Sequence, residues 1–159
     1  MIMNALKNGS NLDSIYLDLQ KAFDQSDFGV ILERCKNIGI TGDIGSWIHN
    51  YLIDRDQYVI VNYDISRVAQ VRSGVSQGSA FGLLLFLILI DSISNMNLSC
   101  SLGIFADDTK AIRKIANNVD AQELQADLNQ LYIWAENNDM KFNGDKFESI
   151  KHGDNKELK

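Results

Sequence analysis

The sequence contains no proline among its 159 residues and only two cysteines, Cys35 and Cys100. The cysteines lie far apart without CxxC spacing, which fits two buried thiols in a reducing compartment better than a disulfide framework. Basic residues are also in the minority, because 15 Lys and Arg stand against 21 Asp and Glu and give a net charge of -6. This balance argues against a broad basic surface that would bind nucleic acid without a metal ion or a partner.

No hydrophobic run is long enough to cross a membrane. The longest, Ala80 to Ile90, is interrupted by Gly82 and closed by Asp91, well short of the roughly 18 residues that a span requires. The segment from Met1 to Asn11 lacks a basic stretch followed by an apolar one, so no secretory signal is visible. We therefore expect an intracellular protein without a membrane partner.

The remaining composition is that of a globular protein, with 45% hydrophobic and 23% charged residues. Alternating and helical spacings predict one domain of mixed α+β type. Helices are expected at 27–38, 43–53, 80–93 and 119–137, and strands at 15–19, 58–61, 67–72, 99–106, 110–115, 140–143 and 147–151. Asp27 and Asp120 are the expected helix N-caps, and Ile38, Ile44 and Trp47 are expected to be buried.

Three acidic residues lie where a strand ends or turns: Asp18, Asp107 and Asp108. Carboxylates within about 4 Å of one another repel by several kcal/mol at an effective dielectric near 20, unless a cation intervenes. Hard oxygen ligands suit magnesium or manganese, which also accept substrate phosphates. The pattern therefore favours phosphoryl transfer. The alternative from spacing alone is that Asp18 is a solvated strand residue and the Asp-Asp pair is turn chemistry.

Three ordered segments surround these aspartates and the turn between them. They read Tyr16-Leu-Asp-Leu-Gln-Lys-Ala-Phe-Asp24, Gly74-Val-Ser-Gln-Gly-Ser-Ala-Phe-Gly82 and Phe105-Ala-Asp-Asp-Thr-Lys110. In this order they resemble the motifs of reverse transcriptases, most closely those of non-LTR (LINE-type) retrotransposons, and Met140, Phe142 and Lys146 match a fourth motif. The resemblance runs from Ile15 to Gly153, and several motifs in order are far more specific than any one alone.

The resemblance implies a fold and an activity. The fold is α+β, a polymerase palm with a small antiparallel sheet that carries the acidic site and helices packed on one face. The activity is that of an RNA-directed DNA polymerase, which transfers a nucleotide from a dNTP to a primer 3′-hydroxyl. Asp18 and Asp107 match the metal-binding aspartates of the family and Asp108 their acidic neighbour, so the three are expected to hold two Mg²⁺ ions, with Mn²⁺ as the other suitable ion.

Four further residues take expected roles from the same likeness. Phe23 would lie under the incoming sugar and exclude a 2′-hydroxyl, although a core aromatic is the alternative. Gln77 would touch the incoming nucleotide and template beside Gly78, whose backbone allows close approach, and a plain turn is the alternative. Lys146 would donate a proton to pyrophosphate or balance its charge, unless it is an ordinary surface lysine. Asp24 fits the family too, but a turn carboxylate explains it nearly as well.

The expected organisation is a lead-in at 1–14, the palm at 15–153 and a frayed polar tail at 154–159. The expected partners are an RNA template, a DNA primer and dNTPs, and complete fingers and thumb are missing. We therefore expect the chain alone to bind primer-template weakly or not at all, with submicromolar binding at low salt as the contrary result. The resemblance also allows residence in the nucleus, although no targeting signal is seen.

Some positions depart from the family. Ser76 and Leu83 stand where it usually has proline, and Asp91 stands where it usually has asparagine. With the lack of proline elsewhere, these changes suggest a drifted or truncated copy, so a catalytically inactive retroelement remnant is the second hypothesis. A magnesium-binding signalling receiver is the third, but its acidic pair precedes its lone aspartate, which is the reverse of the order here.

Overall fold

The computed structural model describes Lys7 and residues 9–153. The predicted tail at 154–159, and within the lead-in residues 1–6 and 8, lie outside the described residues. The chain divides into two compact units, the first formed by residues up to Gln20 and from Ile93 onward, the second by Lys21–Ser92. The composition and the spacing of apolar residues did not show this division.

The helices and strands follow one another in this order: β1 (Leu12–Asp18), α1 (Ala22–Gln25), α2 (Phe28–Asn37), α3 (Gly42–Leu52), β2 (Asp56–Gln57), β3 (Ile60–Val61), β4 (Asp64–Ile65), β5 (Ala69–Gln70), α4 (Ala80–Asp91), β6 (Ser101–Phe105), β7 (Asp108–Lys114), α5 (Asn118–Asn137) and β8 (Glu148–His152). Short 3₁₀ turns occupy Ser92–Asn95 and Gly144–Lys146. No helix in the described part of the chain has both the length and the apolar character needed to span a bilayer.

The first unit is built on a four-stranded antiparallel sheet with the strand order β6-β7-β1-β8. One face of β7 is buried through Ala111, which forms a core with Ile115 and with Leu124 of α5. Because α5 covers that face, the residues on the opposite face of the sheet are the ones available for a site. The predicted strand at 140–143 is reduced to a single bridge between Leu19 and Phe142.

Helix α5 begins one residue earlier than predicted and has a different N-cap. The Asn117 side chain accepts hydrogen bonds from the N–H groups of Val119 and Asp120, and the Asp120 carboxylate accepts from the N–H of Asn117. The expectation that Asp120 is the cap is therefore wrong. It is the third helical residue of a capping box, a position that the same acidic preference explains.

A buried carboxylate of α5 is hydrogen-bonded to the two residues that precede β6. Asp127 is only 3% exposed and accepts hydrogen bonds from the Ser99 N–H, the Ser99 hydroxyl and the Cys100 N–H. Burial alone would raise the pKa of Asp127, but these hydrogen bonds outweigh it and hold the pKa below its usual range. The same carboxylate adds to burial in raising the pKa of the Cys100 thiol to about 12.

The second unit contains helices α2, α3 and α4. The Asp27 side chain accepts a hydrogen bond from the Val30 N–H, so the predicted N-cap of α2 is confirmed. Helix α4 is the central element, because Leu85, Phe86 and Leu89 are fully buried. The predicted helix at 80–93 is thus confirmed, ending two residues earlier at Asp91.

Three apolar side chains expected in the core of this unit are exposed: Ile38, Ile44 and Trp47. Trp47 keeps two ring contacts, since its ring meets the Phe81 ring edge-on at 4.8 Å and stacks on the Tyr51 ring at 5.8 Å between centroids. Helical spacing identified the apolar stripes correctly, but spacing does not say how much of a stripe another element covers.

The segment between α3 and α4 forms short ladders rather than full strands. β2 pairs with β5 and β3 pairs with β4, each over two residues. The tip of the β3–β4 hairpin consists of Asn62 and Tyr63, which both have positive φ angles, and Asp64 is the first residue of β4. Paired positive φ angles are typical of the tight turns that match the twist of a hairpin.

Candidate active site

The sheet of the first unit places two of the predicted aspartates directly opposite each other. In the antiparallel pairing of β1 with β7, Asp18 is the partner of Asp108. Directly opposed residues of antiparallel strands project from the same face, typically with Cβ atoms about 4.5–5.5 Å apart. This face also carries Tyr16 and Lys110, which pair two residues further along, and it is opposite the Ala111 face that α5 covers.

Asp107 reaches the same end of the sheet by a different route. Phe105 pairs with Asp108, so the β6–β7 connection is a two-residue turn of Ala106 and Asp107, with φ of 53° at Ala106. The expected hairpin is confirmed, but only Asp107 lies in the turn and Asp108 begins the strand. In a regular strand two neighbouring aspartates would point to opposite faces, so Asp107 can serve the same site as Asp108 only because it lies in a tight turn.

Lys146 completes the group from the far end of the chain. It closes the Gly144–Lys146 turn, which contacts β1, and its Nζ lies 3.0 Å from Oδ2 of Asp18. The hydrogen bond and charge of Asp18, and then the charges of Asp107 and Asp108, raise the pKa of Lys146. The four residues expected to be catalytic thus lie at one end of the sheet, with Lys146 in contact with Asp18 and under the influence of the charges of Asp107 and Asp108.

A cleft of about 700 Å³ opens beside this group. Its lining includes Asp18, Asp108 and Lys146 together with Tyr16 and Lys110. The ammonium of Lys110 lies over the Tyr16 ring at 4.5 Å from the centroid, an arrangement that attracts a cation to an aromatic face. Neither residue was assigned a role from the sequence. The strand spacing in the sequence does indicate both residues, because Tyr16 lies two residues before Asp18 and Lys110 two residues after Asp108. Each therefore lies on the same face as its aspartate.

The donor atoms of the site suit a hard divalent cation. Asp18 and Asp108 supply carboxylate oxygens from facing strand positions, and Lys146 provides the positive charge that now balances Asp18. The described residues contain no group of three His, Cys, Asp or Glu side chains arranged to hold a metal ion. Carboxylate oxygens are the donor type that Mg²⁺ and Mn²⁺ prefer, but the side chains are not arranged as a complete ligand set, so the joint binding of two ions by Asp18, Asp107 and Asp108 stays a prediction.

The residues expected to bind the nucleotide belong to the second unit. Phe23 is half-buried and its ring packs against the Phe86 ring at a tilt of 31°, with centroids 4.4 Å apart, so it contributes to packing whatever else it does. Gln77 is exposed and its Nε2 donates to Oδ1 of Asp24 at 3.2 Å. Gly78 has a φ of 78° and open space where a Cβ would lie.

The loop that carries Gln77 is fixed to the segment that carries Phe23. The Gly74 N–H donates to the Ser26 carbonyl and the Val75 N–H to the Phe23 carbonyl, both at 2.7 Å. Gly74 has a φ of 88°, and a Cβ there would lie 2.6 Å from the Phe23 carbonyl oxygen. Glycine is therefore required at this position both by its backbone conformation and by the close approach of the two segments.

The chain is similar in sequence to known proteins. The family model described as reverse transcriptase (RNA-dependent DNA polymerase) matches residues 4–156, so the chain belongs to the reverse transcriptase family. Within it, the chain is a reverse transcriptase domain of the non-LTR retrotransposon type. A curated relative is the retrovirus-related Pol polyprotein from type-1 retrotransposable element R2 of Popillia japonica, 26% identical over 112 residues. That match covers 63% of this chain and 18% of the polyprotein.

Solved structures confirm the predicted α+β palm fold. Telomerase from Candida albicans, in complex with the TWJ fragment of telomeric RNA, has a TM-score of 0.70 at 12% identity, over 99% of this chain and 30% of that one. Apo telomerase from Candida tropicalis, truncated from its C-terminal domain, has a TM-score of 0.69 at 15% identity, over 94% of this chain and 33% of that one. The chain therefore spans about a third of these telomerases, and less than a fifth of the Pol polyprotein.

Proposed function

We propose that this chain is the catalytic part of an RNA-directed DNA polymerase, which joins a dNTP to the 3′-hydroxyl of a DNA primer on an RNA template. The observation that supports this most is the register that sets Asp18 against Asp108, with Lys146 bound to Asp18, in a chain of the reverse transcriptase family. Paired carboxylates beside a lysine on an open sheet face suit phosphoryl transfer, which depends on positioning and charge stabilisation.

Asp18, Asp107 and Asp108 are the residues that would hold two Mg²⁺ ions. When bound, magnesium lowers the pKa of the primer hydroxyl and neutralises charge on the leaving pyrophosphate. The contribution of the protein is to hold the carboxylates in place. The β1–β7 ladder fixes Asp18 and Asp108, and the two-residue turn fixes Asp107.

Lys146 is proposed to act on the leaving group. Its ammonium donates to Asp18, which keeps it protonated beside the acidic residues and able to give a proton to pyrophosphate or balance its charge. For the nucleotide we propose Phe23 under the sugar, Gln77 as a contact to base or template, and Gly78 as a point of close backbone approach.

The whole polymerase is proposed to need more chain than is present. Fingers and thumb segments, or a longer polyprotein, would supply most of the surface that grips the primer-template. We also propose an intracellular location, with the nucleus as the site that the family resemblance favours.

Primer extension on poly(rA)/oligo(dT) tests this function. We expect the chain, joined to the fingers and thumb of a relative, to incorporate dTTP only with magnesium. Asp107→Ala should lower the rate at least about a thousandfold, since several kcal/mol of charge stabilisation is lost. The control Asp139→Asn changes an exposed carboxylate in a left-handed backbone conformation that asparagine accepts. Equal inactivity of wild type and Asp107→Ala would favour the inactive remnant.

A further inference from the structure

Asp24 has no role in the site described so far, yet it contacts the loop that carries Gln77 at two points. Its carbonyl oxygen accepts a hydrogen bond from the Ser73 hydroxyl at 2.8 Å, and its carboxylate oxygen Oδ1 accepts one from Nε2 of Gln77 at 3.2 Å. The two contacts lie at the two ends of the loop from Ser73 to Gln77. Asp24 is therefore bonded both to the start of this loop and to the residue proposed to contact the nucleotide.

Main-chain hydrogen bonds hold Asp24 against this loop. Asp24 belongs to the one-turn helix α1. The residue before it, Phe23, accepts through its carbonyl from the Val75 N–H, and two residues after it the Ser26 carbonyl accepts from the Gly74 N–H, both at 2.7 Å. An aspartate side chain has only two rotatable bonds. The position of the carboxylate relative to the loop is therefore set mainly by the backbone.

The Gln77 side chain has little else to restrain it. It is exposed, and within the described part of the chain it has no hydrogen-bond partner besides Asp24. The next residue is Gly78, which has a φ of 78° and a wide choice of backbone angles. A free glutamine side chain occupies several rotamers, so a contact that selects one of them determines where the amide points.

The chemistry of the pair decides which end of the amide is available to a ligand. An ionised carboxylate only accepts hydrogen bonds, whereas a glutamine amide has an NH₂ group that donates and an oxygen that accepts. Gln77 therefore faces Asp24 through Nε2 and not through Oε1. This leaves Oε1 to accept a hydrogen bond from a ligand, and it leaves the second N–H of the amide to donate one.

We propose that Asp24 is a positioning residue for nucleotide binding, because its carboxylate holds the Gln77 amide with Nε2 toward Asp24 and Oε1 presented as an acceptor to the incoming nucleotide. Asp24 acts through Gln77 and does not touch the nucleotide itself. The part that this contact plays in polymerisation rests on the proposed function. The hydrogen bond and its choice of one amide orientation rest on the geometry of the pair.

Nuclear magnetic resonance tests the hydrogen bond on the full chain without any polymerase activity. In ¹⁵N–¹H spectra we expect the side-chain amide resonances of Gln77 to move in Asp24→Ala toward those of a solvent-exposed glutamine. Asp24→Asn keeps an acceptor oxygen and should leave them nearer to the wild type. Asp56→Ala is the matched control, because Asp56 is an exposed carboxylate that lines the same surface pocket. No movement in Asp24→Ala, or an equal movement in Asp56→Ala, would overturn the contact.

Primer extension by the chain joined to fingers and thumb tests the positioning role. Asp24→Ala should raise the KM for dTTP by about threefold to tenfold and keep kcat within about twofold, because a wandering amide weakens nucleotide binding more than the chemical step. Asp24→Asn should bring KM back to within about twofold of the wild type, since an acceptor is restored. The double variant Asp24→Ala/Gln77→Ala should have the KM of Gln77→Ala, because no amide is left to position.

The outcomes separate the positioning role from a structural one and from the proposed function. Effects of Asp24→Ala and Gln77→Ala on KM that multiply, or a loss of kcat at constant KM, would overturn the positioning role. Melting temperatures check that the variants fold, and Asp24→Ser, whose hydroxyl is too short to reach the amide, replaces Asp24→Ala if alanine unfolds the chain. A wild type that extends no primer would refute the proposed function, while the spectra would still decide the Asp24–Gln77 contact.

Discussion

The ammonium of Lys146 lies 3.0 Å from Oδ2 of Asp18, although the two residues come from opposite ends of the chain. Strand β1 and the turn at Gly144–Lys146 are in contact, so the ion pair follows from the packing of the chain's two ends in the first unit. A cation from the protein therefore balances the carboxylate that faces Asp108.

Replacing Lys146 should separate its effect on the leaving group from its effect on metal binding by the carboxylates. In Lys146→Gln we expect primer extension to fall by about 10²- to 10³-fold, because the proposed acid on the leaving group is lost. The affinity of the carboxylates for Mn²⁺ should stay equal or rise up to a few-fold, because a competing cation is gone. Lys151→Gln, on the exposed part of β8, is the control. A parallel loss of Mn²⁺ affinity and activity would show that Lys146 supports the ion site instead.

The buried carboxylate of Asp127 should contribute to the stability of the fold. Asp127→Asn should lower the free energy of unfolding by about 2–3 kcal/mol, because the Ser99 and Cys100 donors lose a charged acceptor and meet an amide in its place. Urea unfolding measures this. The control Asp139→Asn, at an exposed position, should stay within about 0.5 kcal/mol of wild type. Equal effects in both variants would contradict the stabilising role of the Asp127 hydrogen bonds.

Asp127 should also make the free energy of unfolding depend on pH. The pKa of Asp127 in the folded chain lies below its ordinary value of 3.8, so the unfolded state binds the proton more readily. The stability that Asp127 contributes is therefore complete above that ordinary value and is lost as pH falls through the folded pKa. The difference between wild type and Asp127→Asn should shrink as pH falls from about 5 to below 3. A difference that does not change over this range would contradict the assignment.

Two glycines of the second motif, Gly74 and Gly78, should respond differently to replacement by alanine. Both have positive φ, which costs about 1 kcal/mol for a residue with a Cβ. A Cβ added at Gly78 would have no other atom within 4 Å, whereas a Cβ added at Gly74 would meet the carbonyl oxygens of Phe23 and Asp24. We expect Gly74→Ala to be destabilised by about 1–3 kcal/mol more than Gly78→Ala in urea unfolding. Equal destabilisation would mean that the two segments are not held in contact.

Local features of the sequence were sufficient for much of the fold. The Asp27 cap and the buried helix after Ser79 were predictable because caps and apolar runs depend on neighbours in the chain. The α5 cap was misassigned between Asn117 and Asp120, since both residue types satisfy the same preference and only the hydrogen bonds distinguish them.

Long-range features could be reached only through family resemblance or not at all. The motifs identified Asp18 and Asp108 as members of one site, but periodicity alone does not give the register that opposes them. The exposure of Trp47 was missed for a related reason. It depends on which elements come together, which the spacing of residues along one element does not contain.

The central claim is that the carboxylates on the open face of the sheet bind divalent cations, and Mn²⁺ titration followed by electron paramagnetic resonance tests it most directly. We expect saturable binding by the full chain that weakens at least tenfold in Asp18→Asn and in Asp108→Asn, with Asp139→Asn unchanged, since each ligand removed costs a charged oxygen donor. Binding that is absent in the wild type, or equally strong in all three variants, would contradict the claim.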